Sequence, residues 1–231
     1  MTELLAVKSD GLPIGAFFLA GLVALAIVVG AFLASAKRRK DLAAFALQHG
    51  FSFSPYAGDH HEQYMGFKPF DAGHSRRSHN LIHGRRGRID WEMFDYKYTT
   101  GSGKNQQTHH YGIVVARIDV VLSRMCIRQE HFFDKLAGFV GFDDIDFESE
   151  EFSRRFHVSA EDRKFAYDLI HPKMMEYLMA SPAADWQLGG RVAMITRSRR
   201  YKAEELSGLM SLIEGFVERI PHYVRQDRYV G

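Results

Sequence analysis

GLPIGAFFLAGLVALAIVVGAFLASAKRRK, residues 11–40, decides the reading of the whole chain. No charged side chain occurs between Gly11 and Ala36, and the run is dense in Leu, Ile, Val, Phe, Ala and Gly. A hydrocarbon core is crossed by about 20 such residues in helical form, because backbone in lipid must satisfy its own N–H and C=O groups. Residues 12–36 therefore predict a transmembrane helix, with residues 1–11 as a short extracytoplasmic N-terminus. Ala34-Ser35-Ala36 has the small-x-small form of a signal-peptide cleavage site. The apolar run, however, exceeds the roughly 7–15 residues of such a segment and has no basic leader.

Lys8 is the only basic residue ahead of the span, beside Glu3 and Asp10, whereas Lys37, Arg38, Arg39 and Lys40 follow it directly. The positive-inside bias places this basic group at the inner membrane interface and the rest of the chain in the cytoplasm. The same four cations suit anionic lipid headgroups, although topological marking alone accounts for them. Small residues recur four apart as Ala16, Ala20 and Ala24 and as Ala26, Gly30 and Ala34. That spacing permits a homo-oligomer through the transmembrane helix, but Ala and Gly are common in membrane helices in any case.

Beyond residue 40 the chain holds 25 basic and 26 acidic residues. A near-neutral domain argues against nucleic acid as a partner, since phosphate binding needs a basic excess. A composition of 46% hydrophobic and 25% charged residues, with only 6 Pro, is that of a domain able to bury a core. Cys126 is the only cysteine, which excludes an intrachain disulfide framework and multi-cysteine metal sites, and fits a reducing compartment.

Residues 37–50 read as a juxtamembrane basic helix, with Leu42, Phe45 and Ala46 at helical spacing and Gly50 as its stop. Residues 51–231 form the cytoplasmic domain. Strands are predicted at 51–55, 80–83, 88–99, 108–118 and 125–128, with a loop over 56–78, a turn at Gly84-Arg85-Arg86-Gly87 and a hairpin tip at 100–107. A short helix is expected at 130–139 and a strand at 152–158. A helix then opens at Ser159 with Asp162 as a near capping box, and another has Pro172 as its first residue. Trp186 to Thr196 gives one or two strands around Gly189-Gly190. Leu206, Leu209, Met210, Ile213, Phe216, Val217 and Ile220 form the apolar stripe of a C-terminal amphipathic helix ended by Pro221. Early strands and later helices predict an α+β fold with a mainly antiparallel sheet.

Gly101-Ser102-Gly103-Lys104 is not a phosphate-binding loop. Tyr98 occupies the first glycine position, Asn105 the hydroxyl position, and a strand follows where a helix should. His60, His61, Glu62, His74, His79, His83, His109 and His110 crowd the sheet-forming half, and several could meet on one metal ion. Their spacing matches no zincin pattern, and adjacent strand residues such as His109 and His110 face opposite ways. The run from Asp143 to Glu151 lacks the glycine and ligand alternation of an EF-hand. Its simpler reading turns Ile145 and Phe147 inward while the acids face water, some pairing with Arg154 and Arg155. His60, His61, His109, Asp143, Asp144 and Asp146 are the candidate metal ligands, and no cofactor is identified. There is no Gly-x-Ser-x-Gly elbow, and Cys126 reads as a buried, inert thiol.

Phe94-Asp95-Tyr96-x-Tyr98-Thr99-Thr100-Gly101-Ser102-Gly103-Lys104, Asp144-Ile145-Asp146-Phe147-Glu148-Ser149, Phe152-Ser153-Arg154-Arg155-Phe156 and Pro172-x-Met174, behind a membrane helix and a basic cluster, resemble a group of uncharacterised bacterial single-pass membrane-anchored proteins. The resemblance covers most of residues 37–180. It implies a bacterial inner-membrane protein and transfers no catalytic residue. Function is therefore expected to be that of a membrane-tethered binding or scaffolding module, recruiting a protein partner through an exposed aromatic sheet or the acidic run. The alternatives are a membrane-associated metal-dependent hydrolase built on the His- and Asp-rich segments and a lipid-sensing domain.

Overall fold

The computed structural model describes residues 14–129 and 142–227 and divides into two compact units, residues 1–40 and 41–231. In the first unit, helix α1 (Ile14–Gln48) exposes every described side chain from Phe17 to Lys37. Among the described residues it is the one helix long and apolar enough to cross a bilayer, with mean hydropathy 2.7 over an 18-residue window. In the second unit the last turns of α1 bury Leu42, Phe45 and Ala46. Gly50 follows at φ 68°, a conformation that costs glycine little.

The second unit is α+β. Its strands are β1 (Ser52–Gly58), β2 (His74–Arg86), β3 (Ile89–Thr100), β4 (Gln107–Gln129), β5 (Asp143–Asp144), β6 (Phe156–Ala160) and β7 (Asp185–Arg197). Its helices are α2 (Glu150–Arg155), α3 (Arg163–Leu169), α4 (Pro172–Ala180), α5 (Ala203–Glu218) and α6 (His222–Asp227). The sheet order is β1-β2-β3-β4-β6-β5, β7 also pairs β4, and each of these ladders is antiparallel.

β4 organises the sheet. Residues 107–117 pair with β3, residues 125–129 pair with β6, and β7 runs along the opposite edge from Gly112 to Ile127. Among the described residues β4 has no strand partner on the β3/β6 side between Ile118 and Arg124, and its register with β7 shifts there. The sequence suggested two strands separated at this point. The chain instead bends through it as one strand, the local twist that irregular pairing produces.

Both faces of the sheet are covered. On one, Trp91, Val114, Ile127 and Ile195 pack with α3, α4 and α5, and Trp186 stacks on Phe216 with ring centroids 4.6 Å apart. On the other, Phe94, Tyr96, Tyr98, Tyr111 and Ile113 are sealed by Tyr64 and Phe70. The aromatic sheet expected to be exposed is thus buried, with Tyr96 1% exposed. Large aromatics on a strand are more economically hidden from water than displayed to it.

Several local expectations change. Residues 56–78 contain a 3-10 turn, His60–Tyr64, and the start of β2, not a continuous loop. The β2–β3 turn is Gly87-Arg88, with Arg86 opposite Ile89. Gly84 lies inside β2, where an added Cβ would meet Phe51 Cδ1 at 2.4 Å. The strand expected at 152–158 begins as α2, because Ser149 Oγ accepts from Phe152 N–H at 3.3 Å and caps a helix. Ser159 is buried in β6, while Asp162 Oδ1 accepts from Phe165 N–H at 3.0 Å and caps α3. Pro172 does open α4. The helix expected at 130–139 lies outside the described residues.

α5 carries two glycines with opposite requirements. A Cβ on Gly215 would meet Tyr177 Oη at 2.4 Å and Cζ at 2.8 Å, and that phenol donates to the Leu212 carbonyl at 2.8 Å. A Cβ on Gly208 would meet nothing within 4 Å. Gly208→Ala is expected to stabilise the full chain in denaturant titrations by about 0.5–1 kcal/mol through helix propensity. Gly215→Ala should instead destabilise it by about 1–3 kcal/mol through overpacking.

Candidate functional site

The candidate metal ligands do not come together. His60 Nε2 lies 2.6 Å from Glu92 Oε2, His61 Nδ1 3.2 Å from Ser78 Oγ, and His109 Nε2 2.8 Å from Thr100 Oγ1. Asp143 and Asp144 form β5, where Asp144 Oδ1 is 3.1 Å from His157 Nε2. Asp146 is exposed, and its carbonyl accepts from Tyr167 Oη at 3.0 Å. Among the described residues no three His, Cys, Asp or Glu side chains are placed to hold a metal ion. The hydrolase reading loses its site for a simple reason. Residues crowded in sequence alternate between faces, and the histidines among them are engaged by Glu92, Ser78 and Thr100 rather than by one another. Ile145 and Phe147 are buried beneath exposed acids, and Glu151 pairs with Arg155 at 3.9 Å, as the salt-paired edge required. Cys126 is 2% exposed, and burial pushes its thiol up to about 12, so it is no nucleophile at neutral pH.

The densest polar cluster is structural. Glu92 accepts from Tyr64 Oη, lies against His60, and accepts from Arg117 Nε at 3.2 Å. Arg117 also donates to Tyr64 Oη at 3.1 Å and to Gln63 Oε1. Burial alone would raise the Glu92 carboxyl, but the hydrogen bonds of His60 and Tyr64 and the charge of Arg117 outweigh it and draw it down to about 2. Burial and the Glu92 charge push the Tyr64 phenol well above its ordinary value. A carboxylate held that far below its ordinary value is a weak proton acceptor at neutral pH. It fastens the 60–64 turn across the aromatic face.

Open space lies elsewhere. A cavity of about 590 Å³ occupies the notch where β4 lacks its strand partner. Its floor is Ile89, Ile118, Val120 and Val217. Its rim carries Arg86 and Arg88 from the β2–β3 turn, Asp119 from β4, and Glu214 and Glu218 from α5. His222 and Arg225 from α6 close it. Arg86 Nη2 meets Glu214 Oε1 at 2.6 Å, and Asp119 is shared by Arg191 at 2.7 Å and Arg88 at 3.4 Å. An apolar floor under a charged rim, at this volume, is the anatomy of a ligand pocket. Sequence reasoning missed it, because its walls come from residues 86–89, 118–120 and 214–225.

A second cavity of about 320 Å³ lies between residues 182–184 and α5. Arg197 there holds Glu205 in a two-point pair at 2.8 and 3.0 Å. Burial raises the Asp185 carboxyl to about 6, only partly countered by Arg128. Its Oδ1 is buried without a hydrogen-bond partner.

No protein-family model and no curated sequence matches the chain. A crystal structure of the mycobacterial trehalose monomycolate transport factor A is similar to it, with a TM-score of 0.58 and 11% identity, covering 81% of this chain and 96% of that one. The likeness shows the fold.

Two of the perturbed carboxyls, Glu92 and Asp185, give opposite pH dependences. Glu92 is depressed on folding, so its contribution is complete above about pH 4.5 and lost as pH falls towards 2. Glu92→Gln should destabilise the full chain at pH 7, and the difference from wild type should shrink below pH 4. Asp185 is raised on folding, so its ionised form costs stability as pH climbs from about 4 to 6. Asp185→Asn should match wild type at pH 4 and exceed it by about 1–3 kcal/mol at pH 8 in denaturant titrations.

Proposed function

We propose that the chain is a membrane-tethered, non-enzymatic binding module, with its domain on the cytoplasmic face of a bacterial inner membrane and the β4 notch as its ligand site. The cavity is the observation that carries this reading. It combines ligand-scale volume with an apolar floor, while among the described residues the candidate metal ligands do not come together. The anchor gives the binding role a physical sense. Confining a domain to a surface raises its effective concentration against anything else on that surface. The four cations after the span support the cytoplasmic orientation. The fold is shared with a protein named for transport of trehalose monomycolate, which agrees with binding or transport-related work better than with hydrolysis.

Partners on this reading are the bilayer itself and the occupant of the notch. Recruitment of a protein through the aromatic face is set aside, since that face is covered.

Val217 is half-buried on the cavity floor, so Val217→Trp fills the notch. Full-length protein purified from membranes in mild detergent is expected to carry a bound small molecule in native mass spectrometry, and the variant to lose it with unchanged circular dichroism. An identical complement on both proteins would overturn the reading.

A further inference from the structure

The second cavity has an unsatisfied carboxyl in its wall. Asp185 opens β7 and lines the cavity, and its Oδ1 is buried without a hydrogen-bond partner. The guanidinium on the same wall is committed to another acid. Arg197 gives Nη1 and Nη2 to Glu205 at 2.8 and 3.0 Å, and Nη2 also to the Arg200 carbonyl at 3.1 Å. Arg197 Nε is itself buried without a partner, yet the charge of that guanidinium is already met. Arg128 lies one step along β4 from the Ile127–Trp186 pair, and its charge offsets the burial of Asp185 only in part. Cys126 and Tyr201, two further titratable groups close to Asp185, are pushed up by burial and stay neutral at pH 7. A buried carboxylate without a counter-ion is costly, and a cation brought to it offsets that cost. The wall beside it is apolar, with Ala184, Leu209 and Leu212. Gly208 leaves room there, since an added Cβ would meet nothing within 4 Å.

We propose that this cavity binds a small primary alkylammonium ion, its nitrogen on Asp185 and its chain against Ala184, Leu209 and Leu212. The site is separate from the notch and does not depend on it. An ammonium brings N–H donors and the opposite charge to a carboxyl whose buried oxygen has neither. A neutral alcohol supplies one hydrogen bond and leaves the charge unmet. At about 320 Å³ the cavity is at the small end of ligand sites, which suits a chain of a few carbons.

Isothermal titration calorimetry on the full chain in a neutral detergent tests this, with hexylamine, 1-hexanol and hexanoate as probes at pH 8 and pH 5. Hexylamine is protonated at both and is expected to bind about tenfold more tightly than 1-hexanol at pH 8, the worth of a charge-assisted hydrogen bond. The advantage should fade at pH 5, where the carboxyl raised to about 6 takes up its proton. Asp185→Asn removes a buried charge and keeps the fold, and it should abolish the advantage at pH 8. Gly208→Leu should weaken hexylamine binding by filling the open side of the cavity, whereas Val217→Trp, in the notch, should leave it unchanged. Equal binding of hexylamine and 1-hexanol at pH 8, tighter binding of hexanoate, or binding of none of the three would overturn the ammonium site. An advantage that survives in Asp185→Asn would overturn its anchor. Loss of hexylamine in Val217→Trp but not in Gly208→Leu would move the ligand to the notch and overturn the proposal while leaving the notch a ligand site.

Discussion

The domain depends on one strand that cannot be shortened. β4 pairs with β3 along its first half, with β6 at its end and with β7 through both. Val114 and Val115, on opposite faces, are both fully buried, so each half of the core leans on it. A strand of 23 residues cannot stay flat, because twist accumulates along it. The chain relieves this with the irregular stretch near Ile118–Arg124, and the β3/β6 side opens there. Arg191 Nε takes the Ile118 carbonyl at 3.0 Å at this point. The notch is therefore a consequence of how the sheet is built, walled by a turn, a strand bend and two helices.

Charge is used differently inside and around this frame. The cluster of Glu92, Tyr64 and Arg117 is closed on itself and holds a turn over the aromatic face. Such a connected arrangement, with its members satisfied by one another, stabilises the fold. Around the notch the described charges lie near the surface, with Arg86 on Glu214 and both Arg88 and Arg191 on Asp119.

Legibility from sequence followed the locality of the signal. The apolar run, the Pro172 helix start and the α5 stripe each declare themselves within a few residues, and each is present. The antiparallel α+β class was legible from the order of strands and helices. β2 was partly hidden because His74 to His79 is polar throughout, its outer face meeting solvent and Ser75 and Asn80 taking positive φ. α2 was misread because Phe152 and Phe156 suggest one strand, whereas Phe152 lies on the Ser149-capped helix and stacks at 4.8 Å on Phe156, the first residue of β6. The burial of Tyr96 was not legible, since the covering Tyr64 and Phe70 lie in a segment that reads as loop. The notch had no local signal at all. It exists only where three distant stretches of chain converge.

The central claim is that a folded binding domain is held on the inner face of the membrane by α1. Protease added to intact bacterial spheroplasts expressing the full chain, followed by alkaline carbonate washing of their membranes, tests it most directly. The account predicts a domain that survives the protease until the membrane is opened and stays in the carbonate-washed pellet. Digestion of the domain in intact spheroplasts, or its release by carbonate, would contradict it.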